Sequence, residues 1–438
     1  MPNLDDGFGD GEEGPAPIAG SAVLLEACAV RRGHYHYASE SPEFGGVAVP
    51  KRARAAFALI VAAWGTSFQP AEAQPTLGVP RGPGLITNPP GSIVSAEPFA
   101  ISVPRAKAWR IVYRSGGVNS EQIQVSGVIV APDRAAPSDG WPVVAWAHPT
   151  TGIARQCAPS LRKNFTQSIP DLAEMVRRGY VVAATDYEGL GFGGPHPYLV
   201  GSSAAHTILD SVRAARLLTG AGSRFVVWGH SQGGHAALWT GQLAQDYAPD
   251  LTLLGVAAMA PASDLANLIE ADLETPAGKA FTALALVSWS KVYGYDLRTV
   301  ANPKAIHGMQ VIAGACMDNP LGLFADRVGL GLLPKEQLVA DPTKTPPWSI
   351  VIAANTPSTV AGAPVLLAQG TADTLIKPPI TERFARQLCR TGSPVRLVEM
   401  NADHLSIATR SADRVLQWTA ARFGGAPAES DCAAIGAR

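Results

Sequence analysis

Residues 224–235, RFVVWGHSQGGH, constrain this chain more than any other stretch. An apolar run, Phe225-Val226-Val227-Trp228, stops abruptly at Gly229-His230-Ser231-Gln232-Gly233, and a helical pattern opens at Gly234. A buried strand, a G-x-S-x-G turn and a helix form the setting in which this motif carries a nucleophile. A Cβ at either flanking glycine meets the neighbouring strand or helix, so the turn needs glycine there. The expectation is a strained Ser231 whose hydroxyl stands exposed at the carboxyl edge of a sheet, where a helix begins. Without these flanks the motif would be an ordinary turn.

The rest of the chain supplies the sheet. Residues 109–114 and 123–131 read as strands separated by a hairpin signal at Ser115-Gly116-Gly117. Residues 141–147, WPVVAWA, are almost continuously apolar, which fits a strand buried on both faces. Helical and strand patterns then alternate: a helix at 172–178, a strand at 180–184, a helix at 204–218, the Ser231 strand, a helix at 236–246 and a strand at 251–259. Such alternation means crossover units and a parallel sheet. It stops between Pro261 and Pro364, where about a hundred residues are helical and punctuated by Gly and Pro, a pattern read as an inserted cap. It resumes with strands at 364–368 and 395–400 and helices at 380–390 and 412–423. The expected layout is an N-terminal extension and signal peptide at 1–73, a Pro- and Gly-rich surface lead-in at 74–108, an α/β core at 109–262 and 362–438, and a helical cap at 263–361.

Within the first 73 residues, Lys51-Arg52-Ala53-Arg54 precedes an apolar run at 55–64 and the sequence Ala71-Glu72-Ala73. A basic head, a short apolar segment and an A-x-A site match a secretory signal, with cleavage expected after Ala73 and export to the periplasm or beyond. The run is too short to span a bilayer, and the rival reading is a buried core helix. Signals open a chain, so the fit places the working start just before Lys51. Cleavage removes Cys28 and leaves Cys157, Cys316, Cys389 and Cys432. Four cysteines in an exported chain predict two disulfides, with three connectivities open. Without export, four reduced thiols are the better reading.

A net charge of −1 across 438 residues offers no basic field for nucleic acid or an anionic membrane. No C-x-x-C or His-rich spacing points to a metal. Gly189-Leu190-Gly191-Phe192-Gly193-Gly194 lacks the Lys-Ser/Thr of a phosphate loop and opens no helix, so no nucleotide cofactor is expected.

A serine nucleophile needs a base, and the base needs a group that fixes its tautomer. On this kind of sheet the acid and then the histidine follow late strands. Asp373 follows the strand at 364–368, and His404 follows the strand at 395–400. Asp264, after the strand that follows the nucleophile, is the alternative acid. Asp403 adjoins His404 and is poorly placed to reach its Nδ1. The elbow aims His230 and His235 away from Ser231; His148, His196, His206 and His307 follow no late strand. The tetrahedral oxyanion needs backbone donors. The N–H of Gln232 is one; the N–H of Thr150, with Thr151 close behind, is the other, since Pro149 has none.

Five motifs in order carry a resemblance: HPTTG with Cys157-Ala158-Pro159-Ser160, then DYEGLG, then Tyr198-Leu199-Val200-Gly201 leading to Asp210-Ser211-Val212-Arg213, then GHSQGG, then GTAD with the later Asp403-His404. Over residues 109–423 the chain resembles the secretory lipases of bacteria and fungi, departing at Pro149, where glycine is usual. The resemblance implies an α/β-hydrolase fold with a mostly helical cap and a triad of Ser231, Asp373 and His404. It also implies an ester- or lipid-binding cleft beneath the cap and a Cys157–Cys316 disulfide, which leaves Cys389 with Cys432. The expected protein is a cofactor-free, secreted carboxylesterase or lipase acting on acylglycerol-like or short-to-medium acyl esters. It would touch lipid interfaces transiently and need no protein partner. A peptidase or acyltransferase with the same triad is the alternative, and a non-catalytic binding module the third.

Overall fold

The computed structural model describes residues 88–436 except 319 and 361. The expected extension, signal and cleavage site lie outside the described residues. Strands β1 (Ile93–Phe99), β2 (Ala106–Gly116), β3 (Gln122–Pro132) and β4 (Trp141–Ala147) come first, followed by α1 (Leu172–Arg177) and β5 (Val181–Thr185). Then come α2 (Gly201–Thr219), β6 (Ala221–His230), α3 (Gln232–Tyr247) and β7 (Thr252–Met259). Five helices follow: α4 (Leu265–Asp272), α5 (Pro276–Tyr293), α6 (Pro303–Gly314), α7 (Pro320–Gly331) and α8 (Trp348–Asn355). The chain ends with β8 (Val365–Gly370), α9 (Pro378–Arg390), β9 (Val395–Met400), α10 (Ile407–Phe423) and α11 (Cys432–Gly436).

The nine strands form one sheet in the order β1-β2-β3-β5-β4-β6-β7-β8-β9. From β5 to β9 neighbours run parallel, and β1, β2 and β3 add an antiparallel edge. Side-chain alternation divides the core in two. Val143, Ala145, Phe225 and Val227 face α2, α3 and α9, whereas Val144, Trp146, Val226 and Trp228 face α1 and α10. Both faces are buried, which explains why these strands read as unbroken apolar runs. The Pro- and Gly-rich lead-in is not all irregular: Ile93–Phe99 is an edge strand paired to β2, with Pro98 opposite Trp109. An edge position tolerates a proline because one side of the strand has no partner to donate to.

The chain leaves β4 to make β5 on one side and returns to make β6 on the other. Sheets of this kind bind ligands in the crevice outside the strand ends at such a switch point. The helices between β7 and β8 form a mainly helical cap with its own apolar cluster, including Leu284, Leu286, Trp289, Met309 and Trp348. Its tie to the core includes a disulfide between Cys157 and Cys316; a second joins Cys389 of α9 to Cys432 of α11.

Candidate active site

Ser231 sits between β6 and α3 at φ 56° and ψ −115°, a left-handed conformation that costs a non-glycine residue about 1–3 kcal/mol. Three main-chain bonds impose it. Its N–H donates to Met259 O at 2.9 Å, and its carbonyl accepts from Ala262 N and His235 N. A Cβ on Gly229 would lie 1.9 Å from Gly233 O, and one on Gly233 would lie 1.9 Å from Ala147 O. Both glycines are therefore steric requirements, as the sequence pattern predicts. The contact at Gly233 also shows how closely the loop after β4 passes over the start of α3.

His404, in the turn after β9, places Nε2 3.0 Å from Ser231 Oγ and Nδ1 2.8 Å from Asp373 Oδ2. The other carboxylate oxygen of Asp373 accepts from Leu375 N at 2.9 Å and Ile376 N at 2.8 Å. All three residues are buried, and the Asp373 side chain is fully so. The chain after β8 is locked to the turn after β9 by Ala372 N donating to Ala402 O at 3.0 Å. Two loops distant in sequence thus bring the acid to the imidazole. Asp264 instead caps α4 by accepting from Asn267 N, and Asp403 accepts from Ser406 within its own turn.

Sequence reasoning missed a contribution from His230. Its Nε2 lies 2.8 Å from His404 O, and the two rings are 5.0 Å apart. Burial and the neighbouring His404 push its pKa down to about 4, so it is a neutral donor that anchors the main chain of His404. Strand parity carries the signal: His230 lies two residues after Trp228 and shares the face that looks toward α10. His235 points to the opposite side, with Nε2 2.7 Å from Asn355 O. His148 packs at a tilt against Tyr187 and bonds Pro149 O through Nδ1; His206 stacks on Tyr247, and His307 is exposed on α6.

Of the expected oxyanion residues, Gln232 opens α3, where the first N–H groups have no acceptor inside the helix. Thr150 lies half-buried in the loop after β4, with Oγ1 2.9 Å from the Tyr198 hydroxyl. Tyr198, Ser231 and Gln232 open on a narrow cleft of about 70 Å³. Its walls are apolar: Leu265 and Ile269 of α4, Phe281 and Trp289 of α5, and Leu375 and Ile376 beside the carboxylate.

A mostly parallel sheet with a serine elbow at its switch point and a helical cap over the strand ends is an α/β-hydrolase. The chain belongs to the secretory lipase family, whose sequence profile matches residues 169–431. That makes it a carboxylic ester hydrolase. Its relatives include a probable inactive lipase of Mycobacterium tuberculosis, 24% identical over 364 residues, covering 77% of this chain and 79% of that protein. A secreted triacylglycerol lipase of Malassezia globosa is 25% identical over 356 residues, covering 74% and 75%. Among solved structures, Candida antarctica lipase A in its closed state superposes with a TM-score of 0.64 at 17% identity, covering 77% of this chain and 84% of that one. The rice cell wall degrading esterase LipA of Xanthomonas oryzae gives 0.60 at 19%, covering 76% and 100%. At these identities the structural likeness is one of fold.

Proposed function

We propose that the protein hydrolyses carboxylic esters through an acyl-enzyme on Ser231. His404 Nε2 takes the hydroxyl proton as Ser231 Oγ bonds to the ester carbonyl carbon, and Asp373 holds the imidazolium that forms. The N–H groups of Gln232 and Thr150 bind the oxyanion. Collapse of the tetrahedral intermediate breaks the ester C–O bond, and His404 returns the proton to the departing alkoxide. A water molecule, deprotonated by the same nitrogen, then attacks the acyl-enzyme and frees the carboxylic acid. The observation that carries this reading is the continuous buried line from Asp373 Oδ2 through His404 to Ser231 Oγ, at 2.8 and 3.0 Å, opening on an apolar cleft.

The narrow cleft favours a short-to-medium acyl group, and the Malassezia relative's name supports acylglycerols as the substrate class. Export through the signal at 51–73 is part of the proposal. Two disulfides support it, because such bonds persist in oxidising compartments. The test is turnover of p-nitrophenyl esters from acetate to palmitate by wild type and Ser231→Ala. The variant should lose about 10⁶-fold in kcat while keeping its Tm; turnover near the wild-type rate would overturn the reading. With a relative named inactive, wild-type turnover is itself informative.

A further inference from the structure

Both expected oxyanion donors are tethered to one loop that the triad does not use, residues 195–199 between β5 and α2. His196 Nδ1 lies 2.7 Å from Glu188 O, a carbonyl, so that nitrogen carries the hydrogen. Its Nε2 is then a lone pair, 3.0 Å from Gln232 Nε2, and accepts from the amide. Burial holds the His196 pKa down to about 4, which keeps this tautomer neutral. The Tyr198 hydroxyl pairs with Thr150 Oγ1 at 2.9 Å. One loop therefore grips the side chains of Gln232 and Thr150, the two residues whose N–H groups face the reacting carbonyl in the proposed mechanism.

The loop is in turn held by the cap. Ser288 Oγ of α5 donates to His196 O at 2.6 Å and accepts from Tyr198 N at 2.9 Å. Trp289 Nε1 donates to Tyr198 O at 2.8 Å. Trp289 also lines the cleft, so the helix that touches the acyl chain steadies the oxyanion loop.

We propose that His196 and Tyr198 are positioning residues that set the two oxyanion donors, and that α5 fixes them through Ser288 and Trp289. The inference rests on the acyl-enzyme reading above. A donor displaced by a fraction of an ångström loses most of its effect, because it must meet the oxyanion at the transition state.

The test separates the two bonds of His196. His196→Asn retains a donor for Glu188 O and removes the acceptor for Gln232; His196→Gln retains the acceptor. Gln232→Met breaks the same contact from the other end and leaves the backbone N–H in place. His196→Asn and Gln232→Met should each lower kcat about 10- to 100-fold with KM changed less than about twofold. An alkyl trifluoromethyl ketone, whose hemiketal oxyanion occupies the same hole, should lose affinity by the same factor as kcat. The double variant should be no worse than the poorer single, because both remove one interaction. His196→Gln should restore most of the rate, and Ser288→Ala should move kcat and ketone affinity the same way, by less. Wild-type kcat in folded His196→Asn and Gln232→Met, or losses that add in the double variant, would overturn the inference. Should His196→Asn fail to fold, Gln232→Met alone decides. If Ser231→Ala is dead while these variants run at wild-type rate, only this inference falls; if Ser231→Ala is active, the acyl-enzyme reading falls.

Discussion

The strand ends and the cap hold their residues by different means. At the strand ends, main chain does the holding. Three backbone bonds set Ser231, two N–H groups fix the Asp373 carboxylate, and His230 ties down the carbonyl of His404. In the cap, the cleft wall is made by side chains packing on one another, as Trp289 and Leu286 do within the helical cluster. Its cross-links to the core include the Cys157–Cys316 disulfide, Met317 N donating to Thr151 O, and the Ser288 and Trp289 bonds to the 195–199 loop. Groups that hang on backbone geometry tolerate repacking around them, whereas a cleft built from side chains changes shape with each one. Substitutions of the Ser231, His404 and Asp373 side chains should therefore cost rate with little stability, and substitutions of the apolar side chains packed in the cap should cost stability and alter acyl preference.

The sharpest challenge to that contrast is Asp373→Asn. The amide keeps the two backbone donors near Leu375 and Ile376 but leaves His404 in the wrong tautomer. We expect kcat on p-nitrophenyl butyrate to fall about 10⁴-fold with Tm almost unchanged. A loss below tenfold, or a collapse in Tm, breaks the contrast on the strand-end side. On the cap side, Trp289→Ala removes a fully buried indole and its bond to Tyr198 O. Urea denaturation should show a loss of about 3–5 kcal/mol, and the ester series should shift toward longer acyl chains. Unchanged stability, or an unchanged chain-length profile, contradicts a cleft wall held by packing.

The smallest effect concerns pH. His196, His230 and His235 are each held near a pKa of about 4, chiefly by burial, against 6.5 in an unfolded chain. As pH falls the unfolded chain takes up these protons first. Their contribution is complete above about pH 6.5 and is lost progressively down to about pH 4. Glu188 has the opposite sign. Burial raises it to about 7, so its contribution is complete below its ordinary 4.5 and is lost as pH rises through about 7. The two signs oppose each other between about pH 4 and pH 7, so a variant of Glu188 separates the glutamate from the histidines. Glu188→Gln should gain stability over wild type at pH 8 and lose that advantage at pH 5. A Glu188→Gln variant with the same Tm as wild type at pH 8 would refute the assignment.

Much of the strand-end region is legible in sequence because its determinants are local. The elbow announces itself through two glycines and an apolar run, and Asp373 and His404 follow late strands whose patterns are clear. The cap is legible only as a break in alternation. Its apolar residues carry no mark distinguishing a cleft wall from a core, since Phe281 and Leu284 sit on one helix while only Phe281 lines the cleft. The edge strand β1 was hidden by Pro98 and its half-exposed pattern. The pairing of His196 with Gln232 was hidden because the two lie 36 residues apart in unrelated elements.

What the sequence by itself determined is the order of the parts: strand, elbow and helix; a carboxylate after one late strand and a histidine after the next; four cysteines spaced from Cys157 to Cys432. These follow from period, steric demand and residue chemistry, all of which act over a few neighbouring positions. Only the tertiary structure decided that Ser231, His404 and Asp373 lie on one buried line, that His230 bonds the carbonyl of His404, and that α5 reaches the 195–199 loop. Those facts depend on how the parallel strands register against one another and how the cap closes over their ends. Such contacts join residues far apart in the chain, and no local pattern encodes the distance between them.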